Sequence, residues 1–206
     1  FYKKEDAEVV LEEIKQFHFD ICKGLFNNAN HSIYTELENT FVELHWAIED
    51  EPTHGFNFEY DQIVSMGEVV STKIVSAYLN EVGIKNKWVD VRGVIQTDNT
   101  YREGKVDFDL TESLVKKELE PLFKSVDIIV AQGFIGGTSE NFTTTLGREG
   151  SDYTASILAY CLNAQNVTIW KDVPGVLNAD PKWFKNTKKI EELSYQDAIE
   201  LTYYGA

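Results

Sequence analysis

The run Val126-Asp-Ile-Ile-Val-Ala131 constrains the fold of this chain more than any other stretch. It has the length of a strand and is almost continuously apolar, which suits a strand covered on both faces in a parallel sheet. Gln132-Gly-Phe-Ile-Gly-Gly137 follows directly, at the carboxyl end, where open α/β sheets place their ligands. Next comes Thr143-Thr-Thr-Leu-Gly-Arg-Glu-Gly-Ser-Asp-Tyr-Thr154, which reads as an anion cradle. Gly147 and Gly150 let the backbone turn tightly and approach a ligand without a Cβ in the way. Ser151 or Asp152 can cap a helix whose apolar face is Ala155, Ile157, Leu158, Cys161 and Leu162. The amides of its first turn would face a phosphate or carboxylate, and Arg148 adds a planar fork for a carboxylate. A Gly-rich turn before a helix is common, so these glycines alone are a hypothesis. Val167-Thr-Ile-Trp-Lys171 reads as the next strand; a right-handed crossover would bring Lys171 and Asp172 out where the cradle opens.

Upstream, periodicity predicts helices. From about Glu5 to Phe26, Val10, Ile14, Phe17, Ile21 and Leu25 share one side, expected to face the core. After a polar break at Asn27, Asn28 and Asn30, a second helix carries Ile33, Leu37, Phe41, Leu44 and Ile48. Pro52 to Asn57 is a loop, and a third helix from about Tyr60 to Val82 turns Ile63, Val64, Gly67, Val70, Ile74 and Ala77 inward, with Glu68 beside that face. A short strand holds Trp88, Val89 and Val91, a loop region runs from Arg92 to Lys105, and a helix runs from about Thr111 to Phe123. Ala198, Leu201 and Tyr204 again have helical spacing. The expected fold is α/β, a mainly parallel sheet sandwiched between helices. Residues 1–57 are expected to form a helical lobe and residues 58–206 an α/β core.

A chain of 206 residues, 43% of them hydrophobic, can bury a sizeable core as one large domain or one domain with a smaller lobe. Its net charge of −15 argues against nucleic acid or an anionic membrane as partner, since both need clustered Lys and Arg. No apolar run approaches the roughly 18 residues of a membrane span. Cys22 and Cys161 have no ligand-like spacing and fit buried free thiols in a reducing compartment. His18, His31 and His45 lack metal-site spacing as well. The start, Phe1-Tyr-Lys-Lys-Glu-Asp, is neither a signal peptide nor an initiator methionine, so the sequence reads as cut from something longer.

Thr144 to Tyr153 matches Thr-Thr-Leu-Gly-Arg-x-Gly-Ser-Asp-Tyr and resembles the substrate loop of the aspartokinases, members of the amino-acid kinase superfamily. Three further segments share the resemblance in the family's order. Met66-Gly67-Glu68-Val69-Val70-Ser71 is similar to Gly-Glu-x-x-Ser, and Gln132-Gly-Phe-Ile-Gly136 to the family's Gln-Gly-Phe-Ile-Gly loop. Trp170-Lys-Asp-Val-Pro-Gly-Val-Leu-Asn-Ala-Asp-Pro-Lys182 resembles the nucleotide loop Trp-Thr-Asp-Val-Pro-Gly-x-Tyr-x-x-Asp-Pro-Arg. Lys171, Leu177 and Lys182 stand there for threonine, tyrosine and arginine, which changes the details of nucleotide contact.

The resemblance implies transfer of the γ-phosphoryl group of ATP to the β-carboxylate of L-aspartate, on the route to lysine, threonine and methionine. Such chemistry asks mainly for positioning and charge neutralisation. By matched position, Arg148 would clamp a substrate carboxylate, Glu68 would hold the amino group and Phe134 would wall the site. Glu149, Gly150 and Ser151 would form the cradle that binds the substrate, and Asp152, catalytic together with Arg148, would orient a lysine and the metal. Lys171, Asp172, Leu177, Asp180 and Lys182 would contact ATP. Mg²⁺ would accompany ATP with no dedicated protein metal site, in a cytoplasmic enzyme that is a homodimer at full length. The family's Lys-Phe-Gly-Gly-Thr strand, its Lys-Val-Leu-His-Pro segment and its regulatory domains have no match here, so a kinase domain that retains a site without turnover is expected. The alternatives are another small-molecule kinase of the superfamily, opposed by the Glu68 and Arg148 pair, and a noncatalytic acidic helical interaction module, which predicts no nucleotide affinity.

Overall fold

The computed structural model describes residues 7–49, 51–52, 54–172 and 175–203. They divide into two compact units, the first ending at Val167 and the second starting at Thr168. Pro174 of the nucleotide loop and Tyr204 of the last helical repeat lie outside the described residues.

The first unit opens with three helices, α1 (Ala7–Leu25), α2 (Ser32–Glu49) and α3 (Phe56–Glu81). Strand β1 (Asn86–Val89) pairs in parallel with β2 (Ile128–Ala131), Asn86 opposite Ile128 and Val89 opposite Ala131. Between them lie α4 (Phe108–Leu114) and two further turns of helix to Lys124. An antiparallel pair follows, β3 (Ile135–Gly137) with β4 (Thr143–Thr145), and then α5 (Gly150–Cys161). A parallel strand pair joined through helix, packed on further helices, makes this an α/β fold.

The helix α3 is the spine shared by two apolar cores. Met66, Val70 and Ile74 pack with Leu11, Cys22, Ile33, Leu37 and Phe41 in a helical core, while Val69 joins Val91, Ile95, Val115, Ile135 and Ile157 in the α/β core. Its polar residues Asp61, Ser65 and Ser76 are buried as well. A helix enclosed on two sides cannot show one clean apolar stripe. Val64, expected inward, is instead exposed.

Other sequence expectations need correction too. On α1 the core-facing residues are Leu11 and Cys22, whereas Val10, Ile14, Phe17 and Ile21 are exposed. Periodicity finds an apolar line without saying which side the neighbours take; here the inward line also carries Lys15, bonded to Glu38 at 2.6 Å, and His18, against the Phe41 ring. The helix expected from Thr111 begins at Phe108, where the Asp107 carboxylate accepts from the Leu110 amide at 3.0 Å. It then changes pitch before Pro121, which has no N–H to give. Neither Ser151 nor Asp152 caps α5. The capping position is Glu149, left-handed at φ 55°, with Ser151 and Asp152 inside the first turn. Finally, residues 167–171 form no strand. Val167, Ile169 and Trp170 are exposed, Trp170 to 90%, and β propensity without a ladder partner does not make a strand.

In the second unit, Leu177 bridges Lys189 in antiparallel fashion, and Ile190 donates to the Val176 carbonyl at 2.9 Å. Helix α6 (Tyr195–Tyr203) starts at Ser194, whose hydroxyl accepts from the Asp197 amide and donates back to the Asp197 carboxylate.

Candidate active site

The site is assembled where the loop after β2, the β3–β4 hairpin and the start of α5 converge on α3. Strand β4 has β3 on one edge. On its other edge, side chains of α3 take the place of a neighbouring strand. The Gln62 amide donates to the Thr143 carbonyl at 2.8 Å and accepts from the Thr143 amide at 2.9 Å. Two residues along the strand, the Asp61 carboxylate accepts from the Thr145 amide at 2.9 Å and the Thr145 hydroxyl at 2.8 Å. Both backbone groups of Thr143 and the amide of Thr145 are thereby satisfied, as a buried edge requires.

Beyond β4 the chain turns tightly, with Gly147 at φ 77°. Its contact with the Gln132–Gly137 loop is close. A Cβ on Gly150 would lie 2.8 Å from Phe134 Cδ2, and one on Gly133 would lie 2.9 Å from Ser151 Cβ. Phe134 is held at φ 72°, with its amide donating to the Thr154 hydroxyl at 2.9 Å and its carbonyl accepting from Leu146 at 2.8 Å. Only glycine at 133 and 150 lets the two segments meet this closely.

Phe134, Thr145, Gly147 and Arg148 line a cleft of about 650 Å³. The same cleft is lined by Asn57 and Tyr60 of α3 and by residues 100–103. Ser151 faces a separate depression with Gln132, Gly133 and Thr154. Glu68 is half-buried on α3, and that burial pushes its carboxyl pKa up; it does not line the Arg148 cleft. Near it, Thr72 Oγ1 donates to the Glu68 carbonyl at 2.7 Å and accepts from Gln132 Nε2 and Trp88 Nε1, each at 3.0 Å. This ties the Glu68 turn of α3 to the end of β2. Glu149 and Asp152 sit at the entrance and in the first turn of α5.

Lys171, Asp172, Leu177, Asp180 and Lys182 all belong to the second unit. There the Asp180 carboxylate accepts from the Lys182 amide at 2.8 Å, and the Asp180 carbonyl from Trp183 and Phe184. The crossover expected to carry Lys171 and Asp172 to the cradle has no strand on which to run.

Several residues of the site were not read from the sequence. Asp61 and Gln62 hold β4, and Tyr60, Tyr101 and Arg102 wall the cleft. One signal was available: Asp61, Ser65, Glu68, Thr72 and Ser76 recur at spacings of three and four, a polar line on a helix whose neighbours bury it.

The family profile of the amino acid kinase family matches residues 11–206. Lysine-sensitive aspartokinase 3 of Escherichia coli (strain K12) is 38% identical over 146 residues, covering 71% of this chain and 32% of that protein. The chloroplastic bifunctional aspartokinase/homoserine dehydrogenase 1 of Zea mays is 34% identical over 212 residues, covering 98% of this chain and 22% of that protein. Among solved structures, E. coli aspartokinase III in complex with aspartate and ADP (R-state) superposes with a TM-score of 0.86 at 34% identity, over 95% of this chain and 44% of that one. The chain thus spans about a third or less of these two curated relatives. The matched span includes the α3 spine, both strand pairs and the cradle, and on that ground this chain belongs to the amino acid kinase family.

Proposed function

We propose that the protein is an aspartate kinase, transferring the γ-phosphoryl group of ATP to the β-carboxylate of L-aspartate in amino-acid biosynthesis. The observation that carries this reading is the meeting of Phe134 and Arg148 on one cleft, built by the Gly133–Ser151 and Gly150–Phe134 contacts. The likeness to a structure solved with aspartate and ADP supports it. Arg148 supplies a bidentate donor for a carboxylate. In this reading Glu68, which lies outside that cleft, reaches the amino group, and Glu149, Gly150 and Ser151, the last of them facing a neighbouring depression, present the start of α5 to the substrate anion. Asp152, in that first turn, orients the reacting groups. Lys171, Asp172, Leu177, Asp180 and Lys182 contact the nucleotide.

Among the described residues, no group of three or more His, Cys, Asp or Glu side chains converges as a metal cage. Mg²⁺, which keeps its waters and is held mainly by substrate phosphates with one or two carboxylates, would accompany ATP. The ion would supply neutralisation of phosphate charge. We further assign residues 1–57 as a helical lobe on an α/β core, a homodimeric state and a cytoplasmic location to the full-length protein. No helix of the described residues is long and apolar enough to cross a membrane. Steady-state kinetics of the full-length protein test the reading. ATP turnover should depend on L-aspartate in preference to L-glutamate or carbamate, and turnover indifferent to L-aspartate would refute it.

A further inference from the structure

We infer that Arg102 is a second anion-binding residue of the Arg148 cleft, and that the two arginines together select a small dicarboxylate. The inference rests on the aspartate kinase reading for the identity of that dicarboxylate.

The sequence holds three arginines, Arg92, Arg102 and Arg148. Arg92 is spent internally: Nε and Nη2 donate to the Asp90 carboxylate at 2.9 and 2.6 Å, and Nη1 to the Thr143 hydroxyl at 3.1 Å. The other two line the same cleft. Among the described residues neither has a carboxylate within ion-pair distance, although the chain carries 34 acidic side chains. Glu103, the carboxylate on the cleft wall, pairs with neither. In so acidic a chain, two unneutralised guanidinium groups on one concavity concentrate positive potential where the overall field is negative.

Arg102 is also held in place. Its backbone takes the left-handed conformation at φ 72°, and its amide donates to the buried Asp61 carboxylate at 2.7 Å. The same Asp61 fixes Thr145, two residues before Gly147, so one carboxylate positions two segments that line the cleft. The guanidinium lies over the Tyr60 ring, 4.6 Å from its centroid. A cation held over a ring face does not spend its N–H donors there, so they stay available to an anion. The loop is tied further by Asp98, which accepts from Thr100 and Lys105, and by the Gly104 amide bonded to the Thr145 carbonyl at 2.9 Å. One guanidinium can fork a single carboxylate. A second one lining the same cleft distinguishes a dicarboxylic amino acid from a monocarboxylic one, because a ligand with one carboxylate leaves one arginine unused.

The test is calorimetric binding of L-aspartate, L-glutamate, succinate, L-alanine and ATP to the full-length protein and to Arg102→Ala and Arg102→Lys. Arg102→Ala should weaken L-aspartate about 10-fold to 100-fold, the loss expected for a charged hydrogen bond. ATP should be unchanged, and Arg102→Lys should recover part of the loss. Thermal unfolding of both variants should match the wild type, since the side chain is exposed. An unchanged L-aspartate affinity, or a loss confined to ATP, overturns the inference. Trapping of aspartyl phosphate by the wild type is read separately. Product with an unaffected Arg102→Ala variant overturns this inference alone; no product, with L-glutamate or succinate binding lost in Arg102→Ala, overturns the kinase reading alone.

Discussion

The carboxylate of Asp61, fully buried on α3, accepts both the amide and the hydroxyl of Thr145 on β4. Adding the Arg102 amide, among the described residues it holds three donors and no cation. A buried carboxylate is tolerable only with its lone pairs filled, and here the filling groups belong to Arg102 and Thr145, which line one cleft.

Asp61→Asn should therefore destabilise the protein by about 1–3 kcal/mol, because an amide N–H₂ placed against an N–H or O–H leaves a buried donor unsatisfied. Urea denaturation checks it. A midpoint equal to the wild type's would mean that Asp61 does not hold β4.

Glycine substitutions should separate by position. Ala at 150 would meet Phe134 at 2.8 Å and Ala at 133 would meet Ser151 at 2.9 Å, each an overpacking of about 1–3 kcal/mol. Gly67, inside α3, has nothing within 4 Å of an added Cβ, so Gly67→Ala should gain about 0.5–1 kcal/mol. Thermal denaturation of the three variants would contradict the packing described if their order were reversed.

These contrasts show what was legible in the sequence. The Gly147 turn, the β2 strand and the α2 stripe were readable because turn glycines and apolar periodicity are local signals, and Leu37, Phe41 and Ile157 are buried as expected; β2 is not covered on both faces as its apolar run suggests, since Ile128 is exposed and the other three residues are half-buried. The exposed side of α1 and the antiparallel β3–β4 pair were not, since both depend on which neighbour arrives from elsewhere in the chain. The walls of the cleft were hidden for the same reason. Asp61 and Thr145 are 84 residues apart, and an aspartate on a helix reads as solvated until its partners are known. The run Val167-Thr-Ile-Trp shows the converse, a strong local β preference without a ladder.

Glu68 gives a pH signature. Burial raises its carboxyl pKa, so the folded chain keeps a proton that the unfolded chain has already released. Its contribution is full below the ordinary glutamate value of about 4.3 and is lost as pH rises through the folded value. Glu68→Gln should remove that loss, leaving the variant at least as stable as wild type at neutral pH while L-aspartate binding fails. Urea midpoints measured from pH 4 to pH 8 decide this; a variant less stable than wild type at neutral pH would show that the carboxylate has a structural partner.

Arg148→Ala should raise the KM for L-aspartate about 10-fold to 100-fold with little change for ATP, since a lost charged hydrogen bond costs about 1.5–3 kcal/mol. Equal effects on both substrates would move Arg148 from the acceptor site to the phosphates.

The most direct measurement is chemical trapping of the product. Full-length protein incubated with ATP, Mg²⁺ and L-aspartate in the presence of hydroxylamine should form β-aspartyl hydroxamate, and replacing Arg148 by alanine should suppress it at subsaturating L-aspartate. Formation of hydroxamate from L-glutamate but not L-aspartate, or from neither, would contradict the assignment of the Phe134 and Arg148 cleft to the aspartate acceptor.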